Sequence, residues 1–175
     1  LPARHAVSGP LFPPAESRVV VVVIDEETYA TPPFAGTPRV AWTPMLARVL
    51  DRIDAAGARV IGLDMIYPTT LATRHLLPGY DKPLLRTFFK LGRAGRLVLG
   101  ETRLSRQTIR PFRSQVIAVG GPDNLRPLNV VVDADQVVRS YPANFRDESG
   151  GTVPSLATEL VLRVGGTGPT SRFLV

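Results

Sequence analysis

The chain has 175 residues, 44% of them apolar and 21% charged, with a formal net charge of +6. That length and balance fit one globular domain with a full core, and no run approaches the ~18 apolar residues of a membrane span. Cysteine is absent and histidine is confined to His5 and His75, which excludes disulfides, thiol catalysis, Cys-ligated metals and any site needing several imidazoles.

Residues 1–17 hold four prolines and a glycine without periodicity, and predict a linker or irregular arm. The chain opens at Leu1 with neither initiator Met nor signal peptide, and is expected to be part of a longer protein. Val19–Ile24 is a β-branched run without alternation, the pattern of a strand covered on both faces. It ends abruptly on Asp25, Glu26 and Glu27. A long Pro/Gly-containing connection follows, and then Thr43 and Pro44 offer a helix start. Met45, Leu46, Val49, Leu50 and Ile53 recur at helical spacing, and Gly57 is placed to stop the helix. Residues 58–68 predict a second strand ending near Tyr67. After a second long connection, residues 68–80, Asp81 is the expected cap of a helix carrying Leu84, Leu85, Phe88, Phe89 and Leu91. Residues 96–101 predict a third strand and residues 115–121 a fourth. Two short strands are expected around a turn at 133–136, then a final helix from near Pro154 with Leu156, Leu160, Val161 and Val164. The closing SRFLV could open one more strand.

Strand, helix, strand, helix, strand predicts an α/β fold: a mostly parallel sheet with helices on both faces, plus a β-hairpin near the C-terminal part. Residues 18–175 are expected to form a single domain. Right-handed crossovers orient the strands alike, so their C-terminal ends share one edge. Asp25, Glu26, Asp64, Tyr67 and Glu101 are assigned to that edge, from which both long connections leave. Ligands in open α/β sheets bind there, and long loops in compact domains are more often functional than short ones.

Hard cations want clustered carboxylates, so Asp25, Glu26 and Asp64 could serve a metal-dependent phosphotransfer or hydrolase site. The known templates fit poorly. A receiver domain would need a helix and strand where residues 27–44 are too rich in proline, and an aspartyl-phosphate hydrolase would need D-x-D-x-T where the chain has Asp25-Glu26-Glu27-Thr28. An EF-hand loop at Asp133 fails on Val138, which stands at the sixth position where Gly is needed. The bland reading is that Asp25 and Asp64 bond free backbone N–H groups beyond their strands, that Asp133 and Asp135 shape a turn, and that Trp42 and Tyr67 anchor loops. Arg139 is expected to pair with a nearby carboxylate. Arg outnumbers Lys nineteen to two, and the positive field favours anionic partners. The densest basic stretch, Arg103, Arg106, Arg110 and Arg113, has one aromatic, Phe112, and no nucleic-acid motif, so nucleic acid is not an expected partner.

Taken together, VVVVIDEETY, LARVLDRIDAAGARVIGLDMIYP and VVVDADQVVRSYPANF with the later VPSLATELV resemble the CHASE domain of the second type, a sensory extracellular family. The family pattern falls on Ile24-Asp25-Glu26, on Ala56-Gly57-Ala58-Arg59 through Gly62 and Asp64, on Tyr67, on Asp133, Asp135 and Arg139, and on Pro154-Ser155-Leu156-Ala157. Asp81 matches an Asp that opens the second helix. The chain departs from it at Trp42-Thr43-Pro44, where members often carry aromatic-Pro-Arg, and at Gln136, where they have Gly. Only SRFLV remains of a closing strand, so truncation there is expected. The resemblance implies a non-enzymatic ectodomain without cofactor, on the extracytoplasmic side of the cell membrane. Its implied partners are a small-molecule or environmental signal, flanking transmembrane helices and a cytoplasmic cyclase or kinase output, with a homodimer and an anionic lipid surface as further options. The candidate ligand-binding residues are Asp25, Asp64, Tyr67, Asp81, Asp135 and Arg139.

Overall fold

The computed structural model describes residues 18–72, 76–104, 107–147 and 150–166. The expected arm at 1–17, His5, His75, Arg106 and the closing SRFLV lie outside them. The chain divides into two compact units, Leu1–Gly36 and Thr37–Val175.

In the first unit the expected strand does not form. Residues 18–25 carry no strand, and Val19–Val23 are 58–85% exposed. The β-branched run is extended by preference, yet the described part of this unit supplies one five-residue helix, α1 (Glu26–Ala30), and no sheet ladder for the run to join.

The second unit holds the sheet. Helix α2 (Thr43–Ala55) has Pro44 in its first turn as expected, but Trp42 rather than Thr43 holds the cap position and no side chain caps it; the helix buries Leu46, Ala47 and Leu50. Gly57 turns the chain at φ +85°, a conformation that costs other residues. Strand β1 (Ile61–Leu63) is much shorter than the apolar run that predicted it. Helix α3 (Lys82–Arg93) buries Leu84, Thr87, Phe88, Leu91 and Gly92, whereas Phe89 is turned to solvent. Strand β2 (Leu97–Arg103) is the spine of the sheet, with Leu97, Val98 and Leu99 all fully buried. It pairs in parallel with β1 through Leu63↔Leu99 and with β4 (Leu125–Pro127) through Leu99↔Leu125. Its last residues pair antiparallel with the two-residue β3 (Thr108–Ile109).

The expected fourth strand, residues 115–121, is instead a helix, α4 (Arg113–Val119). A short β-branched run does not distinguish the two states. The deciding feature is that Gln115 and Val119, four apart, are both buried while Ile117 between them is exposed, which is a helical face. The strand that takes the fourth sheet position is β4, three residues beyond a short turn. The expected hairpin at 129–141 is reduced to an arch with one antiparallel bridge, Val131↔Ser140. A laddered hairpin follows it, β5 (Asn144–Arg146) with β6 (Thr152–Pro154). Ser155 then caps α5 (Leu156–Arg163), its hydroxyl accepting from the Thr158 N–H.

Helix α5 lies on the sheet face to which Gly62 points. A Cβ built on Gly62 would stand 2.6 Å from a methyl of Leu160, so a larger residue there would make Leu160 shift. Helices α2, α3 and α4 pack in sequence as the opposing layer, with α3 and α4 against β2. The α3–α4 approach is tightest at Gly92, where a Cβ would lie 2.3 Å from the Val119 carbonyl oxygen.

Candidate functional site

The parallel strands β1, β2 and β4 bring their C-terminal ends to one edge, as the chain direction predicted. Beyond β1, Asp64 is exposed and has no hydrogen-bonded or ionic partner among the described residues. Tyr67 is buried, and its carbonyl accepts from the Phe112 N–H at 2.8 Å, which fixes the start of α4 against this loop. Thr70 is buried a few residues further on.

Asp81 is 1% exposed and occupies the residue before α3. It is placed as a cap, but its carboxylate does not cap. Thr43 Oγ1, at the start of α2, donates to Oδ1 at 2.6 Å, and Thr70 Oγ1 makes a short bond to Oδ2. Among the described residues no cation pairs with it; it lies at the first turns of α2 and α3, and helix N-termini favour a negative charge. Sequence reasoning found the residue and missed both partners, 38 and 11 residues away.

At the C-terminal end of β2 lies a cluster that the sequence reading separated into parts. Glu101 is 3% exposed; Arg103 Nε donates to its Oε1 at 2.8 Å and Arg110 Nε to its Oε2 at 2.9 Å. Residues 101 and 103 alternate along one strand and share a face, which was the available signal. Arg103 also reaches the Arg146 carbonyl at 2.6 Å, and the Asn129 amide brackets the Arg103 backbone, accepting from its N–H at 2.8 Å and donating to its C=O at 2.7 Å. Two of the four arginines of the basic stretch are thus committed to one buried acid. A second missed cluster sits at the opposite edge. Glu159 of α5 accepts from Arg126 Nε at 2.9 Å and Arg163 Nε at 2.7 Å. Burial pushes the Glu159 carboxyl up, and Arg163 and Arg126 more than offset this, leaving it below its ordinary value.

Asp135 and Arg139 are brought together. Arg139 grips Asp135 with two bonds at 2.8 and 2.6 Å and reaches Asp133 at 2.8 Å, so its expected carboxylate pairing is found. Asp135 is held below the ordinary carboxylate range by Arg139, whose own pKa is raised by Asp135 first and Asp133 second. The turn they clasp places Gln136 at φ +66°, alone among the described non-glycine residues in that region. Asp25, in the first unit, caps α1. The Thr28 N–H and hydroxyl donate to its Oδ1 at 2.9 and 2.8 Å, and the backbone bond is the larger cause of its lowered pKa. Among the described residues no group of three or more His, Asp or Glu side chains is placed to hold a metal ion, and the phosphotransfer or hydrolase reading gains no support.

The D-x-D-x-x-x-R clasp and the Ser-capped last helix fall on positions that carried the resemblance drawn from the sequence, and a family model described as the CHASE2 domain matches residues 3–172. The chain belongs to the CHASE2 family. No curated protein and no solved structure matches it. CHASE2 domains are sensory extracellular domains of signalling receptors, a non-catalytic role. Among the described residues no helix is long and apolar enough to cross a membrane. At the turn position where the resemblance leads one to expect Gly, Gln136 adopts the left-handed backbone that Gly takes without strain.

Proposed function

We propose that this CHASE2 domain is the extracytoplasmic, signal-sensing part of a membrane-bound bacterial receptor that regulates a cytoplasmic cyclase or kinase. The observation that carries this reading is the family match over residues 3–172. The seat of sensing is the carboxyl edge of the parallel strands. Of the candidate residues there, Asp64 has an uncommitted carboxylate able to meet a cationic or hydrogen-bonding group on a small molecule, and Tyr67 forms the floor of the same loop. Asp81, Asp135 and Arg139 have polar atoms already held by protein partners, so their part is to shape the loops. A signal that binds one loop arrangement better than another shifts their populations by no more than that difference in affinity.

The test is made in the full-length receptor in its own membrane. Removing residues 37–166 is expected to leave the output active and no longer responsive to growth conditions, and protease added outside spheroplasts is expected to digest the domain. An output that keeps its response after the deletion, or a domain protected from outside protease, sinks the reading.

A further inference from the structure

The two long connections look independent in sequence, but in the structure they meet at one buried carboxylate. Residues 37–42 lead into α2, and residues 64–72 and 76–81 lead from β1 to α3. Asp81, Thr43 and Thr70 are each at most 8% exposed, and Asp81 holds the two hydroxyls on its two oxygens. Thr70 Oγ1 also accepts from the Ala72 N–H at 3.0 Å, so its hydroxyl is oriented by its own loop while donating to Asp81. A second tie runs parallel to the first: the Tyr80 hydroxyl donates to the Ala41 carbonyl at 2.8 Å. Each connection is also closed on itself, by Trp42 Nε1 to the Thr37 carbonyl at 2.8 Å and by the Leu77 N–H to the Leu71 carbonyl at 3.1 Å. Two internally closed loops joined by two cross-bonds at a water-excluded point open together more readily than singly, because opening either strands a buried polar group of the other.

We propose that Asp81 is a latch that makes the two connections one cooperative unit, so that whatever engages the loop carrying Asp64 and Tyr67 also acts on the entry to α2. The inference does not depend on what the domain senses. It is tested by amide hydrogen exchange on the intact protein carrying T70V or T43V, which keep side-chain shape and remove one hydroxyl each. T70V is expected to speed exchange in residues 37–46, on the other side of the shared carboxylate, roughly tenfold. T43V is expected to do the same in residues 64–72, and D81N in both. Faster exchange confined to the mutated loop in both threonine variants overturns the latch. If D81N does not fold, the reciprocal effect of the threonine variants decides the question alone. Failure of the sensing reading would leave this exchange pattern unchanged, so the two are separable.

Discussion

Asp81 and Asp135 are both carboxylates fixed by side chains, the first buried and held by the hydroxyls of Thr43 and Thr70, the second half-exposed and held by the guanidinium of Arg139. The exposed pair has the stronger chemistry, a bidentate ion pair, and the weaker structural consequence. Water screens it, and it joins residues four apart that are already neighbours. The buried site uses neutral donors, yet it joins three elements distant in the chain, and either partner stranded there would lack water to replace the lost bond. Glu101 combines the two cases: it is as buried as Asp81, and it is paired with guanidinium groups as Asp135 is. Burial, more than bond type, therefore ranks these sites.

Mutations can break that ranking. Glu101→Ala should have the largest effect, about 3 kcal/mol lost in urea unfolding, because it strands Arg103 at the end of the central strand. Asp81→Ala follows, at about 2 kcal/mol by the same measurement, with two buried hydroxyls unpaired. A smaller loss for Glu101→Ala than for Asp135→Ala would overturn the ordering. Glu159 sharpens it through pH. Its folded pKa lies below the ordinary value of 4.5, so its contribution is fully present above that value. It is lost as the pH falls through the lower folded pKa. Glu159→Gln should flatten the acid limb of a melting-temperature profile and leave its neutral region parallel to that of the parent. Gln136→Gly should change stability by no more than about 0.5 kcal/mol, relief of the left-handed backbone being offset by the entropy of glycine in the unfolded chain. Asp135→Ala should leave the urea midpoint where it was and speed amide exchange only around Val137, whose N–H bonds the Asp135 carboxylate.

The parts of this molecule legible in sequence are those decided within one or two turns of chain. Pro44, the apolar face of α2, Gly57, the Leu84–Phe88–Leu91 stripe, Arg96–Glu101 and the expected start near Pro154 all rest on local signals, and each element formed close to where they placed it. Residues 18–24 and 115–121 were misjudged because β-branched runs state a backbone preference but not a partner. The first has no ladder in the described part of its unit, and the second packs Gln115 and Val119 on a helical face. The site was legible as residue types at one sheet edge. The contacts of Asp81 were not, because they depend on loops folding back from 38 and 11 residues away, nor was the bond of Glu101 to Arg110, which depends on the turn between β2 and β3. Arg163 with Glu159 could have been found from four-residue helical spacing; its bond to Asn124 could not.

The glycine notch in β1 bears on how force would leave the domain. Leu160 of α5 is keyed into the space above Gly62, and one turn later Arg163 is fastened to the Gly95 and Leu97 carbonyls at the root of the central strand. The helix can neither slide along the sheet without lifting a methyl out of its socket nor roll without releasing a guanidinium. Rotation of α5 is therefore coupled to β1 through Leu160 and to the root of β2 through Arg163.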